Sequence, residues 1–318
     1  MRSPSCIILR NILTQRRKDA ETQSEVIQRE WHAGISFRFF SMLRIYVLVM
    51  ICGSALLAQK LAILAPDQSP QTQKYTVQLS DSLSSKLTIL DDDLSLAAFR
   101  SVKSENAFNL TATQAKLAAE VIGCDYFLSV RSGTLRRTSF AKPEFYESFV
   151  TVFLVDGRSG RLVYWDLRSF EADSPSESER LFFSSSESVA ADITGQLEKA
   201  RKNGLGAAGS TSRIAEVPEA DSSEAKDFRP PMPYKRIKPE YTRKAYLYDI
   251  RAIVDAAVDI DQNGVVMAVE IERWAGFGLD ESVIETVRKM NWRPATRNGK
   301  TLPMRVLLRY NFTKIEKE

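Results

Sequence analysis

Histidine is almost absent from this sequence, and its scarcity excludes several kinds of catalytic site. The single histidine among the 318 residues, His32, precedes the longest apolar run of the chain. Ser-His-Asp and Cys-His catalysis and histidine-based metal binding are therefore excluded from everything after that run. With no catalytic constellation to be found, we expect no enzymatic activity, no metal site and no cofactor.

Cysteine and excess charge are scarce as well. The three cysteines, Cys6, Cys52 and Cys124, are far apart and form no CxxC pair. The sequence therefore predicts neither a zinc site nor a disulfide framework. The net charge of +4 is too close to balance to indicate nucleic-acid binding.

The longest apolar run, residues 45–58, is short for a membrane span. A span needs ~20 residues, whereas the core of a signal peptide needs ~7–15. Residues 61–64 would lengthen the run if the Lys60 ammonium reached the membrane surface. Basic residues before it place the N-terminus in the cytoplasm and the later chain outside. We predict a signal peptide or retained anchor at residues 42–64, after a cytoplasmic or misassigned extension at residues 1–41, with Met42 as an alternative start.

Residues 65–203 are predicted to form a middle α/β domain. A short strand over residues 86–90 leads into Asp91, Asp92 and Asp93, which we interpret as a strand end and helix N-cap rather than a metal site. A helix is expected over residues 111–122, and a long helix over residues 179–201 closes the domain. The expected strands between these helices cover residues 125–130, 149–155 and 161–167.

The middle domain also carries a short family resemblance. The stretch FNLTATQAKLAAEVIGCDYFLSV, followed by VTVFLVDGRSGRLVYW, is similar to envelope domains of the TolB N-terminal and curli-secretion lipoprotein type. The resemblance implies a location in the cell envelope and specifies no ligand. Residues 204–228 follow as a flexible linker, in which GLGAAG lacks the strand and helix of a dinucleotide-binding fingerprint.

The pattern of residues 229–318 predicts strand, strand, helix, strand. Alternating apolar residues over 254–260 and 265–271, joined by Asn263-Gly264, indicate a hairpin. Asp280 is predicted to be the N-cap of a helix that ends before Pro294, with Leu279 as part of a hydrophobic staple. A final alternating strand covers residues 304–312. We therefore expect an α+β chain that ends in a three-stranded antiparallel sheet with a helix on one face.

Several motifs of this last region together resemble the C-terminal domain of TonB-type energy transducers. They are residues 255–261, Asn263-Gly264, Leu279-Asp280, Trp292 to Ala295 with Pro294 between them, Asn298-Gly299, Pro303 and residues 310–312. The resemblance implies a periplasmic module that captures a segment of an outer-membrane transporter as an added strand, with ExbB- and ExbD-like motor proteins as further partners. It implies that the partner contacts the edge strand at Arg305, Leu307, Arg309 and Asn311. It also implies structural roles for the motif residues Asn263, Gly264, Leu279, Asp280, Trp292, Pro294, Ala295 and Gly299.

The sequence also departs from the family pattern, which leaves two functions open. The order is Pro239-Glu240-Tyr241 instead of Tyr-Pro, the apolar segment has no histidine, and no long proline-rich spacer is present. The leading prediction is partner binding in energised transport across the envelope. The alternative is a non-energised structural or assembly protein whose TonB-like module forms a homodimer. The predicted location is the cell envelope, either free in the periplasm after signal cleavage or anchored in the inner membrane by residues 42–64.

Overall fold

The computed structural model describes residues 59–206, 214–218 and 227–314, and this part of the chain combines helices with strands. The predicted α+β class is confirmed. Gln59–Glu318 forms one compact unit. Residues 1–58, with the predicted extension and most of the predicted signal or anchor, lie outside the described residues, and the predicted domain boundaries remain predictions.

The helices are α1 Pro70–Leu83, α2 Asp92–Ser101, α3 Ala112–Ile122, α4 Pro175–Phe183, α5 Ser186–Gly206, α6 Arg243–Leu247 and α7 Leu279–Arg288. The longer strands are β1 Lys60–Leu64, β3 Tyr126–Arg137, β4 Phe145–Asp156, β5 Leu162–Ala172, β8 Ala252–Ile260, β9 Val266–Arg273 and β13 Met304–Phe312. The short strands are β2 Thr88–Ile89, β6 Phe228–Arg229, β7 Met232–Pro233, β10 Trp292–Arg293, β11 Ala295–Arg297 and β12 Lys300–Leu302.

Strand β1, Lys60–Leu64, falls within the predicted signal or anchor at residues 42–64. It lies inside a five-stranded sheet of order β2-β1-β3-β4-β5. The strand is parallel to both of its neighbours. Its residues 61–64 are buried on both faces of the sheet. Because neither face is exposed to water, the strand is a continuous apolar run and does not alternate between apolar and polar residues. The apolar run therefore extends into the folded domain, and sequence alone does not separate the two parts.

Helices α1, α4 and α5 cover one face of this sheet. Leu61, Ile63 and Leu128 pack there against Tyr75 and Phe182, whose ring centroids are 4.5 Å apart. The predicted long helix over residues 179–201 is instead the end of α4 followed by α5. The break falls where the Ser185 hydroxyl hydrogen-bonds the Phe182 carbonyl and the Tyr75 hydroxyl.

Helices α2 and α3 cover part of the opposite face. The Asp91 side chain accepts the Leu94 N–H at 2.9 Å, so the interpretation of residues 91–93 as a strand end and N-cap is correct. Burial and the neighbouring acids raise the pKa of Asp92 to about 6. Helix α3 begins at the capping box of Thr111 and Gln114 and ends at Gly123, as predicted.

The C-terminal region has the predicted strand, strand, helix, strand order. Its sheet has the order β13-β8-β9, with both pairings antiparallel. Val254 and Val258 of β8 face Val283 and Val287 of α7 in one buried core. Burial of such side chains contributes roughly 1.5–3 kcal/mol each, so this seam is a main source of stability for the module.

Asp280 is not the N-cap of α7, so that prediction is wrong. The N-cap is Gly278, which has a φ of 78° and no side-chain cap. Asp280 lies within the first turn, and its carboxylate accepts the N–H groups of Ala275 and Gly276 at 2.9 and 2.8 Å. The loop at residues 276–278 has positive φ throughout, which turns these two N–H groups toward the helix.

That loop also joins the C-terminal module to the middle domain. The Trp274 ring stacks on Phe153 of β4 at 5.6 Å, and Phe277 lies 5.7 Å from Trp165 of β5. A side chain at Gly276 would lie 2.7 Å from the Phe153 ring, so only glycine allows this approach. The middle domain and the C-terminal module therefore share one hydrophobic core.

Asn109 links the two regions through polar contacts. Its amide nitrogen donates to the Ile253 carbonyl at 2.8 Å and to the Trp274 carbonyl at 2.7 Å. Its amide oxygen accepts the Ile253 N–H at 2.9 Å. The side chain is buried, so these bonds satisfy the ends of β8 and β9 without water.

Candidate functional site

The outer strand β13 is the candidate binding surface. It pairs with β8 without a register shift from Met304, opposite Ile260, to Phe312, opposite Ala252. The other outer strand, β9, pairs with β8 through two register shifts. Bulged edges resist further strand pairing, whereas a long regular edge favours it. The regular edge of the sheet is therefore β13.

The backbone groups at the free side of β13 belong to alternate residues. The Arg305 N–H points away from β8 and donates to the Ala215 carbonyl at 2.9 Å. In an antiparallel pair every second residue has its N–H and C=O directed outward. Leu307, Arg309 and Asn311 therefore present their backbone on the same side as Arg305. The structure thus brings together on one edge the four residues that the resemblance assigned to the partner.

The arginine side chains of this edge are held against the sheet. Arg305 makes two hydrogen bonds to Asp259, at 2.7 and 2.9 Å, and Arg309 makes two to Asp255, at 2.7 and 3.0 Å. Both aspartates are buried. The hydrogen bond to Asp259 is the main cause that raises the pKa of Arg305. Because these paired forks fix the guanidinium groups over β8, the backbone edge of β13 stays open.

A short piece of the linker covers the start of the edge. Glu216 forms an isolated parallel bridge with Arg305, and residues 214–218 run beside it. Within the described residues, no other strand pairs with the outer side of β13. Leu307, two residues further on, is 58% exposed. Among the described residues, the edge is therefore occupied at Arg305 and has no pairing partner from Leu307 to Asn311.

The predicted structural motif residues fall into two groups. Asn263, Gly264, Trp292 and Pro294 meet at the β8–β9 turn, where a side chain at Gly264 would lie 2.1 Å from the Trp292 carbonyl oxygen. Ala295 is buried nearby in β11, which pairs with β12 across the Asn298-Gly299 turn. Leu279 and Asp280 lie instead at the start of α7, beside the middle domain. Leu279 and Asp280 lie between the members of the first group in the sequence, so the sequence does not indicate that they belong to a different place in the fold.

Sequence reasoning missed the residues that dock the module. Trp274, Phe277 and Tyr248 lie in loops or at helix ends. Hydrophobic periodicity does not mark buried residues in such segments. The Tyr248 hydroxyl donates to Glu147 at 2.6 Å, and its ring lies 4.9 Å from Phe149. Burial raises the pKa of Tyr248. Two large aromatics beside glycines at residues 274–278 are the one signal that could have indicated a packed loop.

A cleft of about 1140 Å³ opens at the end of the sheet where β8 begins and β13 ends. The α2–α3 connection forms one wall, and the other wall comes from Arg251, Arg309 and Asn311. The described residues include no group of histidine, cysteine, aspartate and glutamate side chains that could hold a metal ion. The candidate site thus consists of a backbone edge and an adjoining cleft.

These features define a small α+β module with one regular, partly uncovered sheet edge. Residues 237–313 match the family model described as the Gram-negative bacterial TonB protein C-terminal region. The resemblance predicted from the motifs is therefore confirmed for the C-terminal module. No curated protein matches the chain.

Solved structures with a similar fold are distant in sequence. The C-terminal domain of Pseudomonas aeruginosa TonB is 20% identical and is covered to 99%, but it corresponds to 34% of this chain, with a TM-score of 0.25. Lipoprotein GNA1162 of Neisseria meningitidis is 15% identical, with 43% of this chain and 99% of that chain covered and a TM-score of 0.29. A minor lipoprotein of Acinetobacter baumannii is 15% identical, with coverages of 46% and 97% and a TM-score of 0.27.

The membrane segment has no counterpart in the described residues. From residue 59 onward, no described helix is both long enough and apolar enough to cross a bilayer. Residues 42–58 of the predicted signal or anchor at residues 42–64 lie outside the described part of the chain. The role of this segment as signal or anchor remains a prediction.

Proposed function

We propose that this chain is a non-catalytic cell-envelope protein whose C-terminal module binds an extended partner segment as an added strand on β13. The observation that carries the proposal is the outward backbone of Leu307, Arg309 and Asn311 on a regular edge. Each backbone hydrogen bond contributes about 1 kcal/mol net, so a few such bonds give weak to moderate affinity. The family match of residues 237–313 supports the same mode of binding.

The partner we propose first is a segment of an outer-membrane transporter. In this form the protein is an energy transducer, and residues 42–58 anchor it beside ExbB- and ExbD-like motor proteins in the inner membrane. Support for this form comes from the family match and the apolar segment with its basic flank. Copurification with such motor proteins tests it, and their absence from a mild detergent extract would contradict it.

A second candidate function is a structural or assembly role without energisation. The shared core at Trp274 and Phe277 favours this function, because it fixes the module on the middle domain instead of leaving it on a free arm. Two β13 edges could then pair about a twofold axis and form a homodimer. Sedimentation of the purified chain distinguishes the two, since the first candidate predicts a monomer without its partner.

Leu307→Pro tests the edge itself. Proline removes the outward N–H of an exposed residue and keeps the bonds between β13 and β8, so the variant should remain folded. Leu307→Ala is the matched control, because it shortens the side chain and keeps the N–H. We expect cross-linking to the envelope partner, or self-association, to be lost with proline and retained with alanine. A folded proline variant that keeps every wild-type contact would refute the proposal.

A further inference from the structure

The cleft beside β13 carries an unbalanced positive charge. Five of its lining residues are basic, and Glu105 is its one acidic lining residue. The basic lining residues are Arg100, Lys103, Arg251, Arg273 and Arg309. Opposing walls of one sign concentrate the electrostatic potential inside a cleft, so this space favours an anionic occupant.

Most of that charge has no internal counterion. Arg273 and Arg309 share one carboxylate, that of Asp255, at 3.2 and 2.7 Å. Arg100, Lys103 and Arg251 form no ion pair with any residue in the described ranges. The cleft therefore has three basic side chains available to a ligand, besides the excess charge of the shared pair.

The backbone edge leads directly into this cleft. The outward groups of β13 run from Arg305 to Asn311, and Arg309, Asn311 and Phe312 also line the cleft. A strand added along the edge leaves the sheet at this end, because β13 ends there and β8 begins there. The residues of a guest that follow its paired stretch therefore emerge beside the cleft.

The chain itself shows an acidic residue on this edge. Glu216 of the linker pairs in parallel with Arg305, and its negative charge contributes to the raised pKa of that arginine. An extended segment with a carboxylate is therefore compatible with the edge.

We infer that the strand captured by β13 belongs to an acidic peptide, whose carboxylates beyond the paired stretch occupy the cleft lined by Arg100, Lys103 and Arg251. The inference rests on the proposed function, because it needs an added strand, and it specifies the chemistry of the partner. A free anion or an anionic polysaccharide would fill the cleft without using the edge. The test must therefore separate charge in the cleft from pairing on the strand.

Two synthetic peptides provide that separation when their binding to the full-length chain is measured by fluorescence anisotropy. Both contain five alternating valine and threonine residues, matched to the stretch from Leu307 to Asn311. One is flanked on both sides by four glutamates and the other by four glutamines, so that the result does not depend on strand direction. At low salt we expect the glutamate peptide to bind about five- to tenfold more tightly, with a difference that shrinks as ionic strength rises.

Variants of the protein show which residues cause the difference in affinity between the two peptides. Lys103→Gln with Arg251→Gln should remove the advantage of the glutamate peptide and leave the glutamine peptide unchanged. Lys199→Gln with Arg201→Gln, on exposed positions of α5, makes the same change of charge away from the cleft and should preserve the advantage. Leu307→Pro should abolish binding of both peptides.

Each contrary result has a distinct meaning. Equal binding of the two peptides to the wild-type chain would overturn the inference and leave strand addition intact. Retained binding of the glutamate peptide by Leu307→Pro would also overturn it, because the cleft would then act as a simple anion site. Failure of both peptides to bind would refute the proposed function together with the inference.

Discussion

The two faces of the five-stranded sheet are covered in different ways. Helices α1, α4 and α5 cover one face, and they come from the same domain as the strands. The other face is divided between α2–α3 and the C-terminal module, which reaches it through Trp274 and Phe277. The middle domain thus completes its second layer with a part of the chain that follows the linker.

This difference changes how the linker is understood. A flexible connection at residues 204–228 suggests two bodies that move independently, yet Gln59–Glu318 is one compact unit. Residues that dock on a sheet through stacked rings and a buried amide do not separate without exposing apolar surface. If a partner pulls on β13, the force would therefore act on the interface between the module and the middle domain before it stretches the linker.

Separation of the module from the middle domain has the largest expected effect. A fragment of residues 227–318 should fold but unfold at a clearly lower denaturant concentration than the same sheet in the whole chain, because it leaves Trp274 and Phe277 exposed. A fragment of residues 59–206 should bind it and restore the midpoint. Circular dichroism of the separate and mixed fragments measures both effects. Equal midpoints with no binding between the fragments would show that the two regions are independent.

Trp274→Ala should break the same interface within the intact chain. The ring is 1% exposed and stacks on Phe153, and deletion of a buried aromatic costs about 3–5 kcal/mol. Phe140→Ala is the control, since that ring is fully exposed and its loss should change stability by less than about 0.5 kcal/mol. Chemical denaturation provides the measurement. If Trp274→Ala lowered the free energy of unfolding as little as the control does, packing of the module on this face of the sheet would not contribute to stability.

The contrast between the faces also marks the limit of prediction from sequence. Periodicity located β8, α7 and β13, because each has one apolar side toward the core and one polar side. It also located β9, but Val265 and Met267 of the predicted apolar face are 55% and 65% exposed. A register shift between Asp259 and Ile260 places Val266 opposite Ile260 instead. Strand β1 is buried on both faces and continues an apolar run, so its pattern did not distinguish it from a membrane segment. The edge position of β13 was implied by the family resemblance, and strand alternation places Arg305, Leu307, Arg309 and Asn311 on one side of it. Trp274, Phe277 and Asn109 act through contacts between distant segments, and a local pattern contains no information about those.

The next largest effect is a pH dependence at the same loop. Burial raises the pKa of Asp280 to about 7, although the N–H groups of Ala275 and Gly276 favour the charged form. The folded state therefore binds more protons than the unfolded state between about pH 4 and pH 7. Its free energy of unfolding should fall as pH rises through that window, by at most about 4 kcal/mol, and level off above it.

Asp280→Asn isolates this contribution from that of other acids. Asp92, whose pKa is raised to about 6, titrates in the same range and is present in both proteins. The difference in pH dependence between wild type and variant therefore reports Asp280 alone. We expect the variant to show a flatter curve between pH 4 and pH 7 in urea denaturation. Parallel curves for the two proteins would contradict the buried, proton-binding state of this carboxyl group.

Asn109→Ala should have the smallest effect and the most local one. The substitution removes three hydrogen bonds and leaves the Ile253 N–H and two carbonyls without partners, which costs about 1–3 kcal/mol. Asn109→Asp keeps the acceptor for Ile253 but presents a carboxylate to the two carbonyls, so it should be at least as destabilising. Amide hydrogen exchange gives the decisive measurement, because the Ile253 N–H should lose protection while the β8 amides near Val258, away from the interface, keep theirs. Uniform loss of protection along β8 would show that Asn109 supports the whole sheet and not its junction with the middle domain.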